Sequence, residues 1–171
     1  MKNNKTMFVI VFCIVFIVAG FLLMFKGNLF RNKSSYEKMP EANAITGELS
    51  SNTSITQNFV CELDTIDSIA LVFTKINEID EEKTVLIVEL LDGSNVLLSQ
   101  EYDTDKIEDQ HRTILSGGVS GLKGRELTLR ISNTSNLNSG LALMMQDNDY
   151  NYFSYNQSRI NGTICFNISG K

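Results

Sequence analysis

The chain has 171 residues, 43% of them hydrophobic, and its 15 Lys/Arg against 20 Asp/Glu leave a net charge of −5. That length holds one domain with a real core plus an apolar segment, and it excludes two large domains. Charge is divided along it: residues 1–44 carry six Lys/Arg and two Asp/Glu, whereas 45–171 carry nine and eighteen, and a domain of net −9 argues against nucleic acid as a partner, since that binding rests largely on phosphate neutralisation.

Residues 1–6 form a short tail. MFVIVFCIVFIVAGFLLMF, Met7 to Phe25, is nineteen residues without a charge. At ~1.5 Å rise per residue it spans the ~30 Å of a bilayer's hydrocarbon, so a transmembrane helix over 7–25 is predicted, with the membrane as partner. Phe25 is followed by Lys26, Gly27, Asn28 and Leu29 and not by a small-x-small site, so the segment reads as an uncleaved anchor. Cys13, preceded by Val11 and Phe12, reads as a small apolar helix residue and not as a lipidation site. Orientation has two readings. Lys2 and Lys5 precede the span and Lys26, Arg31, Lys33 and Lys38 follow it, which by charge alone keeps the domain cytoplasmic; the six-residue tail suits a signal-anchor with the domain outside.

Residues 26–44 are a polar, basic stem containing the only proline, Pro40. Its KGNLFRNKSSYEK stretch serves as a solubilising linker or lies on anionic headgroups at roughly 1 kcal/mol per charge. From Ile45 to Lys171 the pattern becomes period-two. SIALVFTK puts Ile69, Leu71 and Phe73 on one face, and RELTLRIS puts Leu127, Leu129 and Ile131 inward with Glu126, Thr128 and Arg130 outward. KTVLIVELLDGSNVLLSQEY reads as two strands joined at Asp-Gly-Ser-Asn, a hairpin signal. Further strands are predicted near 45–50, 54–62, 111–116, 141–146 and 163–169. GGVSGLKG, Gly117 to Gly124, lacks the Lys-Ser/Thr ending of a phosphate loop and reads as an inter-strand loop. With no stretch of helical period beyond the stem, the fold class is all-β: a two-sheet antiparallel β-sandwich, a jelly roll, preceded by one N-terminal transmembrane helix. Cys61 shares the core side with Ile55, Phe59 and Leu63, whereas Ile164, Phe166 and Ile168 claim the core in the last strand and turn Cys165 outward, so two thiols are expected and not a disulfide.

QNFVCELDTIDSIALVFTK, TVLIVELLDGSNVLLSQEYD and GRELTLRISNTSNLNSGLALMM together resemble a jelly-roll accessory domain of bacterial envelope-polysaccharide membrane proteins, over about residues 55–169. In that family the module is extracytoplasmic, hangs on multi-span, often glycosyltransferase-like chains, and is similar to a carbohydrate-binding module. The resemblance implies an exported domain. With one predicted span and no transferase portion in this sequence, it implies an accessory function at the cell membrane, contacting envelope glycan or a membrane protein partner in a polysaccharide-assembly complex. The alternative is a non-catalytic interaction domain that docks on a membrane partner without touching sugar.

DNDYNYFSYNQ, residues 147–157, supplies the chemistry a sugar needs: aromatic faces for C–H patches, and carboxylates and amides for hydroxyls. Asp147, Asp149, Tyr150, Asn151, Tyr152 and Tyr155 are the candidate ligand-binding residues. In an extended chain, however, Tyr150 and Tyr152 share one side while Phe153 and Tyr155 share the other. The competing expectation is therefore a long connection whose Phe153 and one or two tyrosines close the end of the sandwich. Asp147, Asn148 and Asp149, or Glu78, Asp80, Glu81 and Glu82, offer hard oxygens suited to calcium, but neither set has calcium-loop spacing, so no cofactor or metal is assigned. His111 is the only histidine, and no nucleophile-base set or carboxylate pair with split environments marks an enzyme. The Asn-x-Ser/Thr sequons, among them Asn32, Asn52, Asn133, Asn156, Asn161 and Asn167, fit chance in an Asn-, Ser- and Thr-rich chain.

Overall fold

The computed structural model describes residues 39, 41–77 and 84–171; the predicted tail, the span at 7–25 and most of the stem lie outside the described residues. Twelve strands follow in order: β1 (Ala44–Ile45), β2 (Ser54–Val60), β3 (Thr65–Lys75), β4 (Val85–Asp92), β5 (Asn95–Asp103), β6 (Arg112–Ser120), β7 (Glu126–Asn133), β8 (Leu141–Gln146), β9 (Tyr152–Tyr155), β10 (Ser158–Asn161), β11 (Thr163–Ile164) and β12 (Phe166–Gly170). The helical content among the described residues is one 3-10 turn, Thr104–Lys106.

The strands form two six-stranded sheets with antiparallel pairings. One runs β10-β9-β2-β7-β4-β5; the other runs β1-β8-β3-β12, with β6 on β3 and β11 on β8. Alternation makes each strand two-faced, and the apolar faces meet in one core. Ile55, Leu127, Leu129, Ile131, Leu86, Val88 and Leu90 come from the first sheet, and Ile69, Leu71, Phe73, Leu115, Leu141 and Leu143 from the second. All of these are at most 1% exposed. The Phe59 and Phe166 rings span the two layers with centroids 5.3 Å apart. A polar tie crosses the same gap: Gln57 points into the core from β2, and its Oε1 accepts the Ile164 N–H at 2.7 Å, which satisfies both buried groups.

The hairpin expected at Asp-Gly-Ser-Asn is β4–β5, with Asp92 opposite Asn95 and Gly93 at φ 58. Four expectations are corrected. The 45–50 strand shrinks to Ala44–Ile45, although Thr46 and Leu49 still donate to Leu143 and Leu141 carbonyls beyond it. The 117–124 loop is strand as far as Ser120: the ladder with β3 continues to Thr65 opposite Ser120, and at Gly117 the absent side chain makes room for Leu98 of β5, whose Cδ2 would lie 2.1 Å from a Cβ there. The connection ahead of the last strands is a hairpin, β9–β10, added to the edge of β2. Its two turn residues, Asn156 (φ 48) and Gln157 (φ 67), both adopt the left-handed region that a tight hairpin of matching twist needs.

The fourth correction concerns Cys165, which is 1% exposed and does not face outward. It belongs to neither β11 nor β12; its N–H donates to Met144 O where the chain leaves β8 and takes up β3, so alternation is broken there. Cys61 and Cys165 are not joined in a disulfide. Burial pushes the Cys165 thiol up to about 11 and raises that of Cys61. Both thiols are therefore protonated and poor nucleophiles at neutral pH.

Candidate functional site

The segment 147–151 is shaped by Asn148. Its Oδ1 accepts the N–H groups of Tyr150 (3.1 Å) and Asn151 (2.9 Å), while its Nδ2 donates to Gln146 O (3.2 Å) and Thr163 Oγ1 (3.3 Å). Asn43 Oδ1 holds the Asp147 N–H at 2.7 Å, and Asn151 O takes the Gly162 N–H at 2.9 Å. These bonds fix the backbone on either side of Tyr150 and leave its ring 94% exposed. Alternation then sorts the remaining rings. Tyr152 faces out at 53% exposure; Phe153 is buried at 2%; Tyr155 is half-buried and its hydroxyl donates to Glu48 O.

Tyr150, Asn151 and Tyr152 line a shallow cleft of about 230 Å³ together with Gln57, Asn58, Phe59 and Val60 of β2 and Glu126 of β7. Val60, 63% exposed, adds an apolar wall. Asn58 is oriented by Thr128, whose hydroxyl donates to its Oδ1 at 2.8 Å, so that Asn58 Nδ2 reaches Glu126 Oε1 at 3.4 Å. Arg159 of β10 lies over Tyr152, its Cζ 3.8 Å from the ring centroid, a cation–π contact that holds the ring in place.

Of the candidate residues, the fold thus brings Tyr150, Asn151 and Tyr152 together, whereas Tyr155 belongs to the core edge and Asp147 and Asp149 do not line the cleft. Asn58, Val60, Glu126 and Arg159 were missed. For Asn58, Val60 and Glu126 the signal was present as outward alternation in QNFVC and RELTLRIS, but which strands neighbour the aromatic segment is a long-range matter. A polar groove of about 350 Å³, with Ser54 and Thr56 of β2, Ser154 of β9 and Asn156, lies on the same sheet. A larger cleft of about 640 Å³, between β5, the 3-10 turn and β6, is lined by groups of both signs, among them Glu101, Lys106, Glu108 and Arg112. Its His111 is exposed, with Nδ1 2.9 Å from Asp109 O. Tyr102 donates to Ile114 O there at 2.7 Å, and burial pushes its hydroxyl up to about 12.

For calcium, Asn148 Oδ1 is already taken by two N–H groups, and Glu78, Asp80, Glu81 and Glu82 lie outside the described residues. Among the described residues no three His, Cys, Asp or Glu side chains converge on a metal position. Two sequons are structural: Asn167 is 7% exposed, and Asn133, 1% exposed, donates to Leu49 O and Leu137 O and accepts from Ser135. Among the described residues no helix is long and apolar enough to cross a membrane. Compared with known proteins, the chain matches no family model and no curated sequence.

Proposed function

We propose that the protein is a membrane-anchored, extracytoplasmic accessory protein whose jelly-roll sandwich contacts cell-envelope glycan through the cleft at Tyr150. The chain switches sheet at most connections after β2, and this supports a jelly roll over a simple stack of hairpins. The observation that carries the sugar reading is the Tyr150 ring, 94% exposed, beside Tyr152. A large aromatic ring held outward by a hydrogen-bonded loop has no part in the core, and beside it stand the amides and carboxylate that hydroxyls require. The apolar segment 7–25 supports the anchor.

The test is calorimetric or array binding of envelope glycans to residues 39–171, which contain the whole described core, with Tyr150→Ala and Tyr152→Ala beside the wild type. Removing an exposed tyrosine costs within ~0.5 kcal/mol of stability, whereas truncating a buried ring such as Phe153 costs ~3–5 kcal/mol. Loss of glycan binding at unchanged Tm is expected for both variants; a matching loss of stability would make the rings structural and end the sugar reading. The interaction reading has its own observation: β10 ends its sheet with all four residues exposed, an edge suited to strand addition. Binding to a membrane partner that survives both tyrosine substitutions would favour it.

A further inference from the structure

Among the described residues, no cation pairs with the carboxylate in the Tyr150 cleft. Glu126 is exposed at the end of β7, and its Oε1 receives only the 3.4 Å bond from Asn58. The described arginines on the adjoining segments are committed elsewhere: Arg125 to Asp92 at 2.8 Å, Arg130 to Glu89 at 2.7 Å, and Arg159 to the face of Tyr152 at 3.8 Å. None of these three lines the cleft. Around it, residues 45–171 hold nine Lys/Arg against eighteen Asp/Glu. From this geometry we infer that the cleft takes a glycan with free amino groups, a partly de-N-acetylated amino-sugar polymer. The inference rests on the sugar reading above and adds the charge of its ligand.

A protonated amine on the sugar ring supplies what Glu126 lacks, while the ring's C–H face lies on Tyr150 and its hydroxyls meet Asn58 and Asn151. An acetamide in the same place is neutral and bulkier, and a uronic acid meets both Glu126 and the negative field of the domain. One half-exposed ion pair changes affinity roughly three- to fivefold. A polymer carrying several amines gains further from the field, in a way that salt screens.

The full chain in mild detergent is titrated with a short β-1,4-linked glucosamine oligomer and with its fully N-acetylated counterpart, at low and at physiological salt. The amine form is expected to bind at least threefold more tightly, Glu126→Gln to remove that preference, and Tyr150→Ala to weaken both ligands. Glu101→Gln, on β5 at the opposite edge of the same sheet, is expected to leave the preference intact. Equal binding of the two oligomers, or a preference that survives Glu126→Gln or falls equally in Glu101→Gln, overturns the amine inference and leaves the sugar reading standing. If neither oligomer nor any envelope glycan binds, the sugar reading falls and takes the inference with it.

Discussion

Asp109 shows how much a single exposed side chain decides. Its carboxylate accepts the Lys75 N–H at 2.8 Å and the Thr74 hydroxyl at 3.0 Å, closing the end of β3 against the loop after the 3-10 turn. The backbone bond first, and the hydroxyl second, hold its pKa below the ordinary aspartate value. A lowered folded-state pKa means that the ionised form stabilises the fold at neutral pH. That contribution is lost as pH falls below the unfolded value of about 3.9 and through the folded one. Asp109→Asn should therefore melt below the wild type at pH 7, and the two melting curves should converge on acidification below about pH 4; curves that stay parallel down to acid pH would refute the linkage. Nothing local in the sequence marks this aspartate among eighteen acids in 45–171, because its donors lie 34 and 35 residues away. Asn148 was read only as a candidate calcium ligand and Asn133 only as a sequon, yet both organise loops, for the same reason: an amide's partners are set by the returning chain.

At the scale of elements, the last third of the chain depends on tight joints. Gly162 links β10 to β11 at φ +127, and a Cβ there would lie 2.7 Å from Gln146 O and 2.5 Å from Met145 Cε. The methionine end can move; the carbonyl, part of the β8–β11 ladder, cannot. Gly162→Ala combines a conformation rare for L residues with that clash, so a loss of ~2–3 kcal/mol is expected, read as a lower urea midpoint with unchanged slope. A midpoint within experimental scatter of wild type would mean that β11 is not held as described. The Asn-Gly pair at 161–162 is visible in the sequence. That the preceding aromatic segment would form the edge hairpin β9–β10 was not, since YFSY alternates as well in a loose connection as in a strand, and only the free edge of β2 selects between them.

At the scale of the molecule, the described core draws on strands from β2 to β12 and on nothing before Ala44. Residues 39–171 should therefore fold without the N-terminal segment, giving a β-type far-UV circular dichroism spectrum and one cooperative thermal transition. A helical spectrum or a broad, non-cooperative melt would contradict the sandwich. Such independence is what the anchored accessory role proposed above requires of the domain. Its net charge of −9 over 45–171 then acts on any ligand as one field and not as separate residues.

The sequence alone determined the class of fold, the inward positions of β3 and β7, the β4–β5 hairpin, and the placing of Tyr150 and Tyr152 on the side opposite Phe153 and Tyr155. Period-two alternation and turn chemistry are local, and burial follows them directly. Tertiary structure decided the rest: that Cys165 is enclosed, that Gly117 lies within a strand, and that Tyr150 and Tyr152 stand beside Asn58, Val60 and Glu126. Each of these depends on which strand becomes a neighbour, and strand order comes from long-range pairing that no local pattern encodes.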